Sequence, residues 1–414
     1  MKIDRRQLLQ GMAGAGSALA IGGVLPGFLA RAAAGSPRAN GDRILVVVQL
    51  SGGNDGLNTV VPHKHEAYRA ARPTLRIDSS DVLAIDAELG LHPACRPLAD
   101  ALEAGQLGIV QGVGYDQPNR SHFESMDIWH SCRRKEDRGQ EGWLGRAFDL
   151  NGGAAARDPV GIFLGESKLP ASLVARSTPV PSIDSPERFR LQGQDAEALT
   201  TALSGMSSPA DSTAPTGEAA ALAEFLERST GAALEASRRI EAALASGKAV
   251  EGYPATRLAE KLSTVGRLIE AGLSTRVFYV ELDGFDTHSQ QADAHRGLLE
   301  QWSGALGAFL KDLADIGRLD DTVVVSFSEF GRRVAENASE GTDHGAAAPL
   351  FLAGGRVAGG LHGAHPSLTD LDDGDLKFHT DFRSVYATLL EQWLGWDASP
   401  ALGGRFESLP LLRS

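Results

Sequence analysis

The sequence predicts an α/β protein, a three-layer sandwich with a mostly parallel central sheet. Residues 43–50 (RILVVVQL), 276–282 (RVFYVEL) and 322–327 (TVVVSF) are apolar runs with the length and β-branched content of strands buried on both faces. Each stops abruptly at a polar loop. A helical stretch at 294–316 separates the last two, long enough for the crossover that parallel pairing needs.

The chain begins with a targeting pattern. Asp4-Arg5-Arg6-Gln7-Leu8-Leu9 is a twin-arginine motif, and Ala32-Ala33-Ala34 offers a small-residue cleavage site. The apolar run 11–29 between them is short and glycine-interrupted for a spanning helix. We expect a signal over 1–34 read by the twin-arginine translocase, a periplasmic or secreted mature protein, and no stable transmembrane anchor. The net charge is −13, and setting aside the +3 of Lys2, Arg5, Arg6 and Arg31 against Asp4 leaves −16. Such a surface repels nucleic acid and anionic lipid, so no nucleic-acid partner is expected. An anionic substrate would need a local cation, from arginine or a bound metal.

Strand 43–50 runs into Ser51-Gly52-Gly53-Asn54-Asp55-Gly56, where glycines permit a tight turn. Asp55 and Asn54 are candidate metal and substrate ligands at a strand's carboxyl end, or alternatively the makings of an Asx turn. Residues 91–105 read as an amphipathic helix with Leu98 and Leu102 at helical spacing, and 107–113 as a strand. The loop Gln117–Phe123 then opens a helix at 125–130. Ser121 at its start suits either an N-cap or a nucleophile facing the helix dipole. Arg120 suits an anion binder or a surface ion pair. Cys95 and Cys132 are either a bridge or two buried thiols.

Residues 161–164 and 172–174 are further candidate strands. A Ser/Pro/Ala/Thr-rich linker at 204–217 and helices at 218–245 and 258–271 suggest a helical insertion at about 204–272, able to cover a site. Strand 276–282 leads to Asp283-Gly284-Phe285-Asp286-Thr287-His288, where Asp286 and His288 can turn toward one cation. Strand 322–327 ends at Ser328-Glu329; a polar loop follows, then Asp343-His344-Gly345 and a strand at 348–353. Residues 359–363 read as a hairpin or strap, and Thr380 or Asp381 caps a last helix through Trp393.

The collected carboxylates and imidazoles (Asp55, Asp286, His288, Glu329, Asp343, His344) suit one or two divalent ions, Zn²⁺, Mn²⁺ or similar, with Ser121 as nucleophile and Asn54 and Arg120 on the substrate.

The blocks VVVQLSGGNDGLNTVVP, NRSHFESMDIW, DGFDTHSQQ, VVVSFSEFGR, TDHG and TDFRSVYATLLEQWLG, with the twin-arginine start, resemble the exported bacterial family called domain of unknown function 1501. That family is grouped with the alkaline phosphatase and sulfatase-like superfamily. The resemblance implies one α/β domain over 42–414 and a metal-dependent hydrolase of phosphate or sulfate esters, small or polymer-borne. It implies that Asp55, Asp286 with His288, and His344 correspond to metal ligands and Ser121 to the nucleophile. Two departures stand out: Asp286 and His288 are only two apart, and Phe330 follows Glu329 where the superfamily has a histidine. Two other readings are open. One is an exported binding or scaffold protein that keeps the fold without the chemistry. The other is a lipase-like carboxylesterase, with Asn54 in an oxyanion hole and Asp283 and His288 in a triad; it lacks a Gly-Asp-Ser block before Gly52.

Overall fold

A computed structural model describes residues 43–152, 158–183, 239–244 and 252–413. The signal read at 1–34, the linker at 204–217 and most of the helix at 218–245 lie outside these residues, so the helical insertion is described only in part. Ile240, Ala243 and Leu244 are buried, and the helix Arg257–Glu270 (α4) follows.

The described residues build a nine-stranded sheet. Its strands are β1 (Ile44–Ser51), β2 (Leu107–Gly114), β3 (Gly161–Leu164), β4 (Ser182–Ile183), β5 (Val277–Asp283), β6 (Thr322–Phe327), β9 (Ala348–Ala353), β10 (Gly360–His362) and β13 (Thr380–Asp381). The order is β10-β2-β9-β6-β1-β5-β3-β4, with β13 also on β2. All pairings are parallel except those of β9, which is antiparallel to both β2 and β6. Between β6 and β9 the chain makes a hairpin, β7 (Arg332–Glu336) with β8 (Thr342–His344), instead of a helix, so it returns antiparallel. The polar loop expected there is this hairpin. A second small hairpin, β11 (Leu371–Asp372) with β12 (Asp375–Leu376), lies farther along.

β1 occupies the centre, and its alternation splits the core. Ile44, Val46, Val48 and Leu50 join one apolar layer with Leu98, Leu262, Leu299, Trp302 and Leu306. Leu45 and Val47 join the other with Trp143, Phe148, Phe382, Tyr386 and Trp393. The first layer belongs to helices α1 (Arg96–Glu103), α4 and α5 (Gln291–Asp315); the second to α3 (Trp143–Asn151) and α6 (Phe382–Thr388), with the turn Leu389–Leu394. This is the three-layer α/β arrangement expected from the buried strands. Cys95 and Cys132 are buried free thiols in different layers, and burial pushes the Cys132 thiol up to about 12.

Local departures have local causes. The helix expected from Leu91 starts only at Arg96; Leu91 pairs as a strand, and Pro93 opens a single 3₁₀ turn capped by His92. Residues 171–173 are a 3₁₀ turn where a strand was expected. Among the described residues no helix is long and apolar enough to cross a membrane.

Candidate metal centre

The carboxyl ends of β1, β5 and β6 lie side by side, with Gln49 opposite both Glu281 and Phe327. The loops leaving them therefore meet. Gly52 makes this close approach possible: its φ is +114°, and a Cβ there would stand 2.4 Å from the backbone nitrogen of Asp286. The helix α2 (His122–Ser131) reaches the same place. Ser125 ties it down by donating to the Glu329 carbonyl at 2.6 Å.

One oxygen is the focus. Asp286 Oδ1 lies 3.1 Å from His344 Nε2, 3.1 Å from His288 Nε2 and 3.3 Å from His122 Nε2. Each ring's other nitrogen faces an oxygen. His122 Nδ1 is 2.8 Å from Glu329 Oε1, His344 Nδ1 is 2.7 Å from the Arg120 carbonyl, and His288 Nδ1 is 3.5 Å from Asp343 Oδ1. A carboxylate or carbonyl oxygen can only accept, so Nδ1 of His122 and of His344 carries a proton, and in the neutral ring Nε2 is left with a lone pair. In that neutral form two lone-pair nitrogens point at an anionic oxygen. His122 Nε2 is buried, and its contact with Asp286 lacks hydrogen-bond geometry, leaving it without a hydrogen-bond partner. A cation at this point would satisfy all of these atoms. His122, Asp286 and His344 can each offer one ligand atom, all within 4.8 Å of one another. With His288 adjacent, the donor set suits a first-row divalent ion.

The electrostatics agree. Asp286, Glu329 and Asp343 against the guanidinium of Arg332 leave a formal charge of −2 around the cluster. Burial opposes ionisation of Asp286, but Arg332, which donates to Oδ1 at 2.8 Å, and the adjacent His344 outweigh it and hold the carboxyl well below the usual range. The bond to Glu329 raises His122, whereas burial lowers His344. Arg332 is buried and also donates to the carbonyls of Gly53 (2.7 Å), Thr342 (2.8 Å) and Phe285 (2.9 Å), fixing three loops around Asp286. Phe330 fills the floor, its ring 4.9 Å from that of His122 and 4.7 Å from that of His344.

The structure brings Asp286, His288 and His344 together and rearranges the other expected residues. Glu329, 2% exposed, accepts from the Gly52 N–H and from His122, so it orients a ligand rather than facing the cluster's centre. Asp343 stands one step out, accepting from Asn337 and facing His288. Asp55 is elsewhere: it is fully buried, caps Gly56–Thr59, and pairs with Arg72 at 2.6 Å and with Gln291. Asn54 is turned inward, 1% exposed, with its side-chain oxygen held by Thr59 and His295, away from any substrate. The Arg120 guanidinium is engaged by Asp375 and Asp373, and only its carbonyl serves the site. Ser121 is exposed at the start of α2 and makes no capping bond. His288 is engaged with Asp286, Asp343 and His344 rather than with Asp283, which removes the esterase triad. His122 and Arg332 were not singled out in the sequence. The available signals were a histidine directly after Ser121 and an arginine directly after Gly331.

No curated protein matches the chain in sequence. Several solved structures are similar at low identity. An alkaline phosphatase superfamily protein from Vibrio parahaemolyticus is 10% identical with a TM-score of 0.42, over 88% of this chain and 69% of that one. PsFucS1 sulfatase from Pseudoalteromonas sp. is 10% identical with a TM-score of 0.38, over 89% and 70%. The C-terminal periplasmic domain of EcEptC from Escherichia coli, in complex with Zn, is 9% identical with a TM-score of 0.34, over 76% and 74%. At such distances the reading of the site rests on its own geometry. Residues 42–398 match the family model described as "Protein of unknown function (DUF1501)", and the chain belongs to that family.

Proposed function

We propose that this protein is an exported, single-ion metallohydrolase of phosphate or sulfate esters. The observation that carries the reading is the convergence of His122, His288 and His344 through Nε2 on Asp286 Oδ1. Two of those rings have Nδ1 engaged within 2.8 Å by oxygen acceptors. Orienting partners of this kind are what metal-binding imidazoles have.

His122, Asp286 and His344 would hold the ion and His288 would complete the set, with Zn²⁺, Mn²⁺ or a similar ion suited to the donors. Bound there, the ion would supply Lewis acidity to a phosphoryl or sulfuryl oxygen and the positive charge that the acidic surface lacks. A second ion is not part of the proposal, because Asp55 is committed to Arg72. Ser121, exposed, uncapped and next to His122, is the proposed nucleophile. The test is turnover of aryl phosphate, sulfate and carboxylate esters by metal-loaded protein. Hydrolysis of a phosphate or sulfate ester that disappears with the ion supports the reading. Stoichiometric metal with no turnover of any ester would favour the binding-protein alternative.

A further inference from the structure

We infer that the cleft beside the metal centre is a subsite for an uncharged, hydroxyl-bearing group, such as a sugar ring or another polyol, carried by the ester substrate; this rests on the ester-hydrolase reading. The cleft measures about 730 Å³, within the roughly 300–1,000 Å³ typical of small-molecule sites. It adjoins the centre through Arg120, whose carbonyl holds His344, and through Ala346, two residues beyond that ligand. A smaller depression shares Pro118, Ala346 and Phe378 with it and also touches Glu329 and Phe330, so the two spaces are neighbours across those residues.

Charge narrows the ligand. Asp116, Asp372 and Asp375 line the cleft against Arg120 and Lys377. Both cations are already paired, Arg120 with Asp373 and Asp375, and Lys377 with Asp370. A second phosphate or sulfate would therefore meet carboxylates. The wall instead asks for donors. The Asp375 side chain is 3% exposed, and Oδ2 accepts from Arg120 Nε at 2.8 Å. Its Oδ1 has no hydrogen-bond partner, with Arg333 Nε standing off at 3.5 Å. A buried acceptor in that condition is costly, and once the Asp375 carboxylate turns toward the cleft a ligand hydroxyl would satisfy it. Gln117 and Asn119 add amides that can donate and accept, while Pro118 and Phe378 supply an apolar side. An apolar strip beside a polar, acceptor-bearing wall matches a ring with one C–H face and a hydroxylated edge.

The experiment is saturation-transfer NMR and calorimetry with methyl glucoside, cyclohexanol and tetramethylammonium on the full chain. Wild type, His344→Ala, Asp375→Asn and Phe378→Ala are compared, with metal content measured in parallel. Methyl glucoside should bind and cyclohexanol should not. Binding should persist in His344→Ala and weaken about tenfold in Phe378→Ala and in Asp375→Asn. Phe378→Ala guards against misfolding of the buried Asp375 variant. Absence of glucoside binding, preference for tetramethylammonium, or indifference to both cleft substitutions would overturn the proposal. Metal binding without glucoside binding defeats the subsite alone. Glucoside binding without metal defeats the hydrolase reading.

Discussion

The Nε2 atoms of His288 and His344 stand 2.8 Å apart. Two lone-pair nitrogens at that distance repel unless a proton or a cation lies between them. Metal–nitrogen bonds of about 2.0–2.1 Å put ligand atoms about 3 Å apart at right angles and about 3.3 Å apart in a tetrahedral site. The spacing is that of neighbouring ligands on one ion. A proton could bridge this one pair, but it would leave the buried His122 Nε2 without a hydrogen-bond partner.

Glu329 holds His122 in position, so its charge should matter to an ion it does not touch. Glu329→Gln is expected to weaken the affinity for Zn²⁺ by roughly 10–100-fold. Competition against a chelator measures this. An unchanged dissociation constant would reduce Glu329 to a support for the Gly52 loop.

Asp55 and Arg72 form a fully buried pair, and breaking it leaves an uncompensated charge. Arg72→Met should cost about 3–5 kcal/mol in urea unfolding. Asp55→Asn should lower stability yet leave metal content unchanged. Loss of the ion in Asp55→Asn, with the fold retained, would return Asp55 to the ligand set.

Acid should unfold the protein through two buried histidines. Burial lowers both His92 and His295 from 6.5 to about 4, and their rings meet edge to face at 6.1 Å. Their folded-state values lie below the unfolded one. Between pH 6.5 and about 4 the unfolded chain therefore binds more protons, and stability falls as pH falls. Each histidine contributes on the order of 3 kcal/mol to that loss. Melting temperature against pH should decline through this window, and His295→Gln should flatten the slope. A flat profile above pH 4 in wild type would contradict the assignment.

Ser121→Ala should abolish ester turnover while leaving metal content and melting temperature within error of wild type. Turnover that survives would move the nucleophile away from this hydroxyl.

Much of the fold could be read from the strands. β6 and β9 fall on the residues their apolar runs marked, because burial on both faces leaves an uninterrupted signal. The direction of β9 could not be read, since an antiparallel strand buried on both faces has the same composition. The site was half legible. Asp286 and His288 lie in the loop directly after β5, and His344 ends the short strand β8 just before β9, where position alone flags them. His122 looked like a helix-start residue, and only the Glu329 contact, 207 positions along the chain, shows where its ring points. Asp55 had the expected position but not the expected neighbour: Arg72 reaches it from a separate helix end.

The most direct test is elemental analysis of purified mature protein after incubation with Zn²⁺ or Mn²⁺ and removal of excess ion, with His122→Ala, Asp286→Ala and His344→Ala beside it. The account predicts one tightly held ion per wild-type chain, and loss of that ion in each variant with the far-UV circular dichroism retained. Wild type that retains no ion, or variants that retain it equally, would contradict the metal centre.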